Sequence, residues 1–196
     1  MLKLLSRPIL LPCYIMPPKK VSRALFVGRF QPFHRGHLSV IEDLLPKFDQ
    51  IVVAIGSSDK FRTPENPFTV GERHAMIKET LEDLGVKQDQ FKVVPLPDID
   101  NNEEWPKHVI NTCPDFKAIA ITDNSRVEGL FKKLTKKEII KTKKKYAISA
   151  THVREAIRQG EDLKKYLPQP VISFLQKIGA ARKIIDIEEM EKEEKV

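Results

Sequence analysis

The stretch Gly28-Arg29-Phe30-Gln31-Pro32-Phe33-His34-Arg35-Gly36-His37 decides how this chain is read. A short apolar run, Ala24-Leu25-Phe26-Val27, precedes it, and an amphipathic run with Leu38, Val40, Ile41, Leu44 and Leu45 follows. Strand, tight loop and helix is the natural reading of that order. His34 and His37 fall at the helix start, and side chains at i and i+3 share a helix face. Both imidazoles are expected to point the same way. They would point out of a helix N-terminus, whose unbonded N–H groups and positive dipole end favour phosphate. The chemistry implied is the handling of nucleotide phosphate.

Length and composition set the outer bounds. The 196 residues suit one domain with a substantial core, and 41% hydrophobic with 31% charged residues is a globular composition. A formal net charge of +7 suits an anionic ligand, either a nucleotide or nucleic acid. Cys13 and Cys113 form no CxxC pair, so neither a zinc site nor a disulfide framework is expected, and a reducing compartment, the cytoplasm, is the default. Met1 to Ile15 is apolar in part, but Pro8 and Pro12 interrupt it, and it is too short to span a bilayer. It also lacks a small-residue cleavage site. Residues 1–21 therefore read as a disordered N-terminal extension, with Met16 as an alternative start and an organelle transit peptide as the lesser alternative.

Apolar strand candidates alternate with helical stretches along residues 22–181. Ile51-Val52-Val53-Ala54-Ile55 is a near-continuous apolar run of the kind a parallel sheet buries on both faces. Thr69 and Glu72 have capping-box spacing ahead of a helical pattern through Met76, Ile77, Thr80, Leu81 and Leu84. Phe91 to Leu96 and Ala118 to Thr122 are further strands. Ser149 can cap a short helix from Ala150 to Arg158, and Pro170 to Ile178 makes another. The fold class is α/β, a doubly wound parallel sheet in a single domain. Ligands in such sheets sit beyond the carboxyl ends of the strands, where the strand order reverses, and the histidine stretch lies at such an end. The lysine-rich segment Lys132 to Lys145 lacks interleaved aromatics and reads as a solvated helix and loop rather than an RNA surface. Residues 182–196 read as a charged, frayed C-terminal tail.

A family resemblance can now be stated. His34-x-x-His37 after a strand resembles the HxGH signature of the nucleotidylyltransferase superfamily, which is related to the HIGH motif of class I aminoacyl-tRNA synthetases. Ser149-Ala150-Thr151-His152-Val153-Arg154 matches its second signature, S/T-x-T-x-x-R. Two signatures in order are far more specific than one. More narrowly, three stretches resemble the archaeal type of nicotinamide-nucleotide adenylyltransferase. They are GRFQPFHRGH, Glu65-Asn66-Pro67-Phe68-Thr69-Val70-Gly71-Glu72-Arg73, and Pro97-Asp98-Ile99 with Asn102 and Trp105. The similarity runs from about Leu25 to Ile178.

The resemblance implies a Rossmann-like fold and adenylyl transfer from ATP to nicotinamide mononucleotide (NMN), giving NAD and pyrophosphate. It implies His34, His37 and Arg154 as catalytic groups. Gly28, Arg29, Phe30, Asn124, Ser149 and Thr151 would join them in binding ATP, with Ile99, Asn102 and Trp105 lining the nicotinamide pocket. Magnesium would bridge the phosphates and needs few protein ligands, so no protein metal cage is expected. A homo-oligomer, a hexamer, is the assembly implied, with no membrane and no nucleic-acid partner. The residues themselves fit these demands. Imidazole N–H groups suit phosphate oxygens, a guanidinium fork suits the β- or γ-phosphate, and an indole suits a cationic pyridinium. Without the resemblance, Trp105 and Asn102 read equally as a core tryptophan and a cap. Two positions depart from the pattern: Asp123 stands before Asn124, and Ala150 stands where glycine is common. The HxGH pair alone leaves other acceptors open, such as flavin mononucleotide or phosphopantetheine, or an alcohol phosphate with CTP. A non-catalytic nucleotide- or RNA-binding module is the reading from another class.

Overall fold

Ile51, Val52, Val53, Ala54 and Ile55 are all fully buried, as a strand covered on both faces requires. In the computed structural model they form β2 (Gln50–Ile55), hydrogen-bonded between β1 (Arg23–Gly28) and β3 (Phe91–Pro95). The structure describes residues 21–101, 103–122, 125–142, 145–146 and 148–193. β4 (Ala118–Ile121) pairs with the other side of β1, and β5 (Glu138–Lys141) closes that edge. The sheet is parallel throughout, in the order β3-β2-β1-β4-β5.

Strand alternation divides the interior into two cores. Ala24, Phe26, Ile51, Val53 and Ile55 face one way. They pack on α1 (Arg35–Leu44), α2 (Val70–Asp83), α5 (Ala150–Gln159), α6 (Gln169–Lys177) and α7 (Ala180–Glu193). Leu25, Val52 and Ala54 face the other way, onto α3 (Trp105–Thr112) and α4 (Ser125–Leu134). The result is a three-layer doubly wound α/β domain, as expected from the strand and helix spacing. The chain steps outward from β1 to β2 to β3, then returns across the sheet to β4 beside β1. That reversal puts the switch point between the carboxyl ends of β1 and β4.

Two expectations are corrected. The lysine-rich segment is not only helix and loop: Ile139 and Ile140 pair with β4 as the edge strand β5. A strand this short, between lysines, has the composition of a protected sheet edge and lacks a periodic signal. Residues 182–193 are not a frayed tail either, because they continue α7, which packs Ile184 into the main core and also buries Ile187. The acidic run that follows hid that apolar i, i+3 pair.

The capping box on α2 forms as its spacing predicts. The Thr69 hydroxyl accepts from the Glu72 amide at 3.2 Å, and the Glu72 carboxylate accepts from the Thr69 amide at 2.8 Å. The same carboxylate meets Lys183 of α7 at 2.6 Å, so one side chain both caps α2 and fastens the last helix. Burial works to raise the Glu72 carboxyl, but the Lys183 ammonium and the Thr69 donors outweigh it and hold it below its ordinary value. A lowered folded value gives stability that is complete above 4.5 and is lost as pH falls through the folded value. Glu72→Gln should therefore lower stability by about 1 kcal/mol at pH 7. Urea titrations repeated down the acid range should show that difference shrinking to nothing.

Candidate active site

The β1–α1 junction is built on a reciprocal cap. His34 is the N-cap of α1 and His37 is its third residue. The His37 amide donates to His34 Nδ1 at 3.3 Å, and the His34 amide donates to His37 Nδ1 at 3.3 Å. The rings stack with centroids 3.6 Å apart and 18° between planes. A nitrogen that accepts from a backbone N–H carries no proton of its own, so each neutral ring bears its proton on Nε2. The cap therefore sets the tautomer: both imidazoles are Nε2–H donors. An aromatic bed keeps them there. Phe30 meets the His37 ring edge-on at 4.8 Å, and Phe33 stacks on it at 5.7 Å.

Small residues are required around this bed. A Cβ on Gly28 would stand 2.7 Å from Phe30 Cε1, and one on Gly36 would stand 3.0 Å from two atoms of the His34 ring. Phe30 itself takes a left-handed backbone, φ 54°, with its ring almost fully buried. Its ring packs beneath the histidines and lines no open surface. The Gln31 amide accepts from the Phe68 N–H at 3.0 Å and donates to the Phe68 carbonyl at 2.9 Å. That pair of bonds ties the histidine loop to the segment before α2.

Arg154 approaches from α5, whose N-cap is Ser149, with the His152 amide donating to the serine hydroxyl at 3.2 Å. Its Nη1 donates to the Gln31 carbonyl at 3.0 Å and its Nη2 to Thr151 Oγ1 at 3.3 Å. The two sequence signatures thus meet in space. Burial and the charge of Arg29 hold the Arg154 guanidinium below its ordinary value, opposed by Glu65 and Glu188. Two cations close enough to disfavour each other make a place where an anion is welcome.

A cleft of about 270 Å³ opens at the switch point, walled by Gly28, Arg29, Gly56, Ser57, Asp98, Trp105 and the end of β4. Trp105 is half-buried, edge-on to Phe131 at 5.8 Å, with part of its surface in the cleft. Asp98 accepts from the Ser57 hydroxyl at 3.1 Å and pairs with Lys60 at 2.7 Å. Burial pushes its carboxyl up, but Lys60 and Ser57 prevail and hold it below its ordinary value. The structure brings Gly28, Arg29 and Trp105 into one cleft, with the histidine pair and Arg154 joined to it through the 28–37 loop. Ile99 is half-buried and does not line this cleft. Asn102 and Asn124, with Asp123, lie outside the described residues. A larger groove of about 770 Å³ runs between α7 and residues 62–64, away from the strand ends. It holds none of the phosphate-directed groups.

Arg73 is the site residue that sequence reading passed over. It is fully buried, and burial pushes its guanidinium down to about 10, with Arg29 adding to the effect and Asp59 and Asp98 opposing it. Its donors reach the loops after β1 and β2. The one signal for it was its place at the end of the quoted 65–73 stretch. Among the described residues no cluster of three or more His, Cys, Asp or Glu could hold a metal ion, and no helix is long and apolar enough to cross a membrane.

With this geometry in view, the comparisons with known proteins decide the family. Residues 25–156 match the model of the Cytidylyltransferase-like family. The chain belongs to that family. A nicotinamide-nucleotide adenylyltransferase of Methanolobus tindarius is 36% identical over 176 residues, covering 88% of this chain and 98% of that protein. Its namesake in Pyrococcus furiosus is 35% identical over 179 residues, covering 88% and 95%. Among solved structures, a bifunctional NMN adenylyltransferase/ADP ribose pyrophosphatase from Francisella tularensis superposes with a TM-score of 0.71 at 27% identity, covering 86% of this chain. This chain spans about half of that protein (52%), which was crystallised with AMP and a manganese ion. Both family signatures of this chain, His34/His37 and Ser149 to Arg154, fall within the matched range.

The bed beneath the histidines gives a direct check. Gly28→Ala should lower stability by about 1–3 kcal/mol through overpacking against Phe30. The urea midpoint should fall with the slope unchanged.

Proposed function

We propose that this chain transfers the adenylyl group of ATP, taken as its magnesium complex, to the 5′-phosphate of NMN, forming NAD and pyrophosphate. The observation that carries the reading is the reciprocal His34/His37 cap at the switch point, with Arg154 bound to the same loop. The named relatives, similar over nearly their whole length, support the choice of substrates.

The reaction needs positioning and charge stabilisation more than covalent chemistry. A phosphate oxygen of NMN attacks the α-phosphorus in line, and the bond to the β-phosphate oxygen breaks, releasing pyrophosphate. Negative charge spreads over the α-phosphate oxygens and onto the leaving group. His34 and His37 donate Nε2–H bonds to the α-phosphate, in an orientation set before substrate arrives. Arg154 and Arg29 take the β- and γ-phosphates, which removes their mutual repulsion. Magnesium would enter with the triphosphate, would ask for few protein ligands and would supply neutralisation of the phosphate charge. Ser149, Thr151 and Asn124 complete the adenosine and phosphate contacts. Gly28 keeps the floor of the cleft open, and the Phe30 backbone shapes the loop.

On the acceptor side, the Trp105 indole stacks on the cationic pyridinium. The family resemblance assigns Ile99 and Asn102 to the same pocket, where a side-chain amide suits the carboxamide. The assembly is a homo-oligomer, a hexamer, and the compartment is the cytoplasm; the family resemblance supports the first, and the absence of paired cysteine motifs supports the second.

Pyrophosphate release with magnesium and ATP should be measured against NMN, its nicotinic acid form, flavin mononucleotide and phosphopantetheine. Turnover is expected on a pyridine mononucleotide, and His37→Ala should lower kcat by about 100–1000-fold. Trp105→Ala should weaken NMN binding by about 1–3 kcal/mol, roughly a 5–150-fold rise in KM. Turnover only on a non-pyridine acceptor would keep the phosphate chemistry and reject the pocket. Silence across the panel would reject the enzyme.

A further inference from the structure

We infer that Arg73 is a positioning residue for the phosphate site, acting through the backbone of the two loops that flank the cleft and without touching substrate. A guanidinium has five N–H donors in one rigid plane. Here they meet five carbonyl oxygens. Nη1 donates to Arg29 O at 3.0 Å and Gly56 O at 2.9 Å. Nη2 donates to Ser57 O at 3.1 Å and Lys60 O at 3.4 Å, and Nε donates to Thr69 O at 3.3 Å. The first four carbonyls belong to the loops leaving β1 and β2, and three of the residues that own them, Arg29, Gly56 and Ser57, are walls of the cleft.

Two consequences follow for an anionic ligand. Peptide carbonyls captured from below are turned away from the cleft, which removes partial negative charge from the surface that phosphates must approach. The fork also holds Ser57 in a left-handed backbone, φ 48°, a conformation that a non-glycine residue keeps only when its surroundings impose it. Ser57 in turn orients Asp98, while the Arg29 carbonyl fixes the backbone from which the Arg29 side chain departs. Among the described residues no carboxylate lies within ion-pair distance of Arg73, so its charge is balanced by oriented carbonyl dipoles alone at contact range. A salt bridge holding α2 to the sheet would need a carboxylate partner. A device for arranging loops needs the five-way fork.

Arg73→Lys separates the two roles, because lysine keeps the charge and loses the planar fork. The inference rests on the ATP-binding reading above, so wild type is titrated first, with magnesium-ATP and the fluorescence of Trp105, the only tryptophan in the chain. No response in wild type, in fluorescence or in pyrophosphate release, rejects that reading and leaves Arg73 without a site to position. Given wild-type binding, Arg73→Lys should weaken ATP at least tenfold and lower kcat/KM for ATP at least tenfold, at temperatures well below its own Tm. Glu72→Gln, which loosens the same helix end without touching these carbonyls, should stay within twofold of wild type. Arg73→Lys within twofold of wild type, or an equal loss in Glu72→Gln, overturns the inference. Hydrogen exchange on wild type gives an independent arm should Arg73→Lys fail to fold. The amides of residues 58 and 60, which donate to the Leu96 and Ser57 carbonyls within the loop that the fork holds, should be protected before ATP is added and change little afterwards. Free exchange there without ATP, with protection only on binding, also overturns it.

Discussion

Two backbone amides exchanged for two imidazole nitrogens, between His34 and His37, organise the functional end of this molecule. A helix must satisfy its first N–H groups somehow, and here it does so with the two side chains proposed to carry the chemistry. On that proposal, capping and catalysis place the same demand on the same rings. The cap fixes which ring nitrogen carries the proton, the aromatic bed of Phe30 and Phe33 fixes where the ring sits, and Gly28 and Gly36 leave room for both. The switch in strand order then supplies the opening beside it, between β1 and β4.

Around that opening the electrostatics have a common logic. Burial, with the nearby charge of Arg29 adding to it, holds both Arg73 and Arg154 below their ordinary values. Such an arrangement costs stability in the empty protein, a cost that a polyphosphate relieves by supplying the missing negative charge. Trp105 lines the same cleft as Arg29 and the Asp98 carboxylate, a mixture that suits the proposed pairing of a polyphosphate with a flat cationic ring.

How much of this was legible beforehand depends on the range of the physics involved. Local signals were read correctly. The apolar run of β2, the Thr69/Glu72 capping box, the Ser149 cap and the strand–loop–helix layout around the histidines each depend on residues within a few positions of one another. Long-range features escaped. Ile139 and Ile140 form an edge strand only because β4 offers them a partner. Ile184 counts as core only once α5 and α6 leave a surface for α7. The inward-turned ring of Phe30 follows from a left-handed backbone that no periodicity announces. Arg73 was passed over, because its carbonyl partners lie up to 44 positions away in the chain.

The most direct measurement is the protonation pattern of the two imidazoles. Long-range ¹H–¹⁵N correlation spectra of the nucleotide-free protein at neutral pH, assigned among the five histidines with single substitutions, would report which nitrogen of each ring bears its proton. The reciprocal cap requires the Nε2–H form for both His34 and His37, with both Nδ1 atoms acting as acceptors. A proton on Nδ1 of either ring would contradict it, and the proposed donors to the α-phosphate would lose their structural basis.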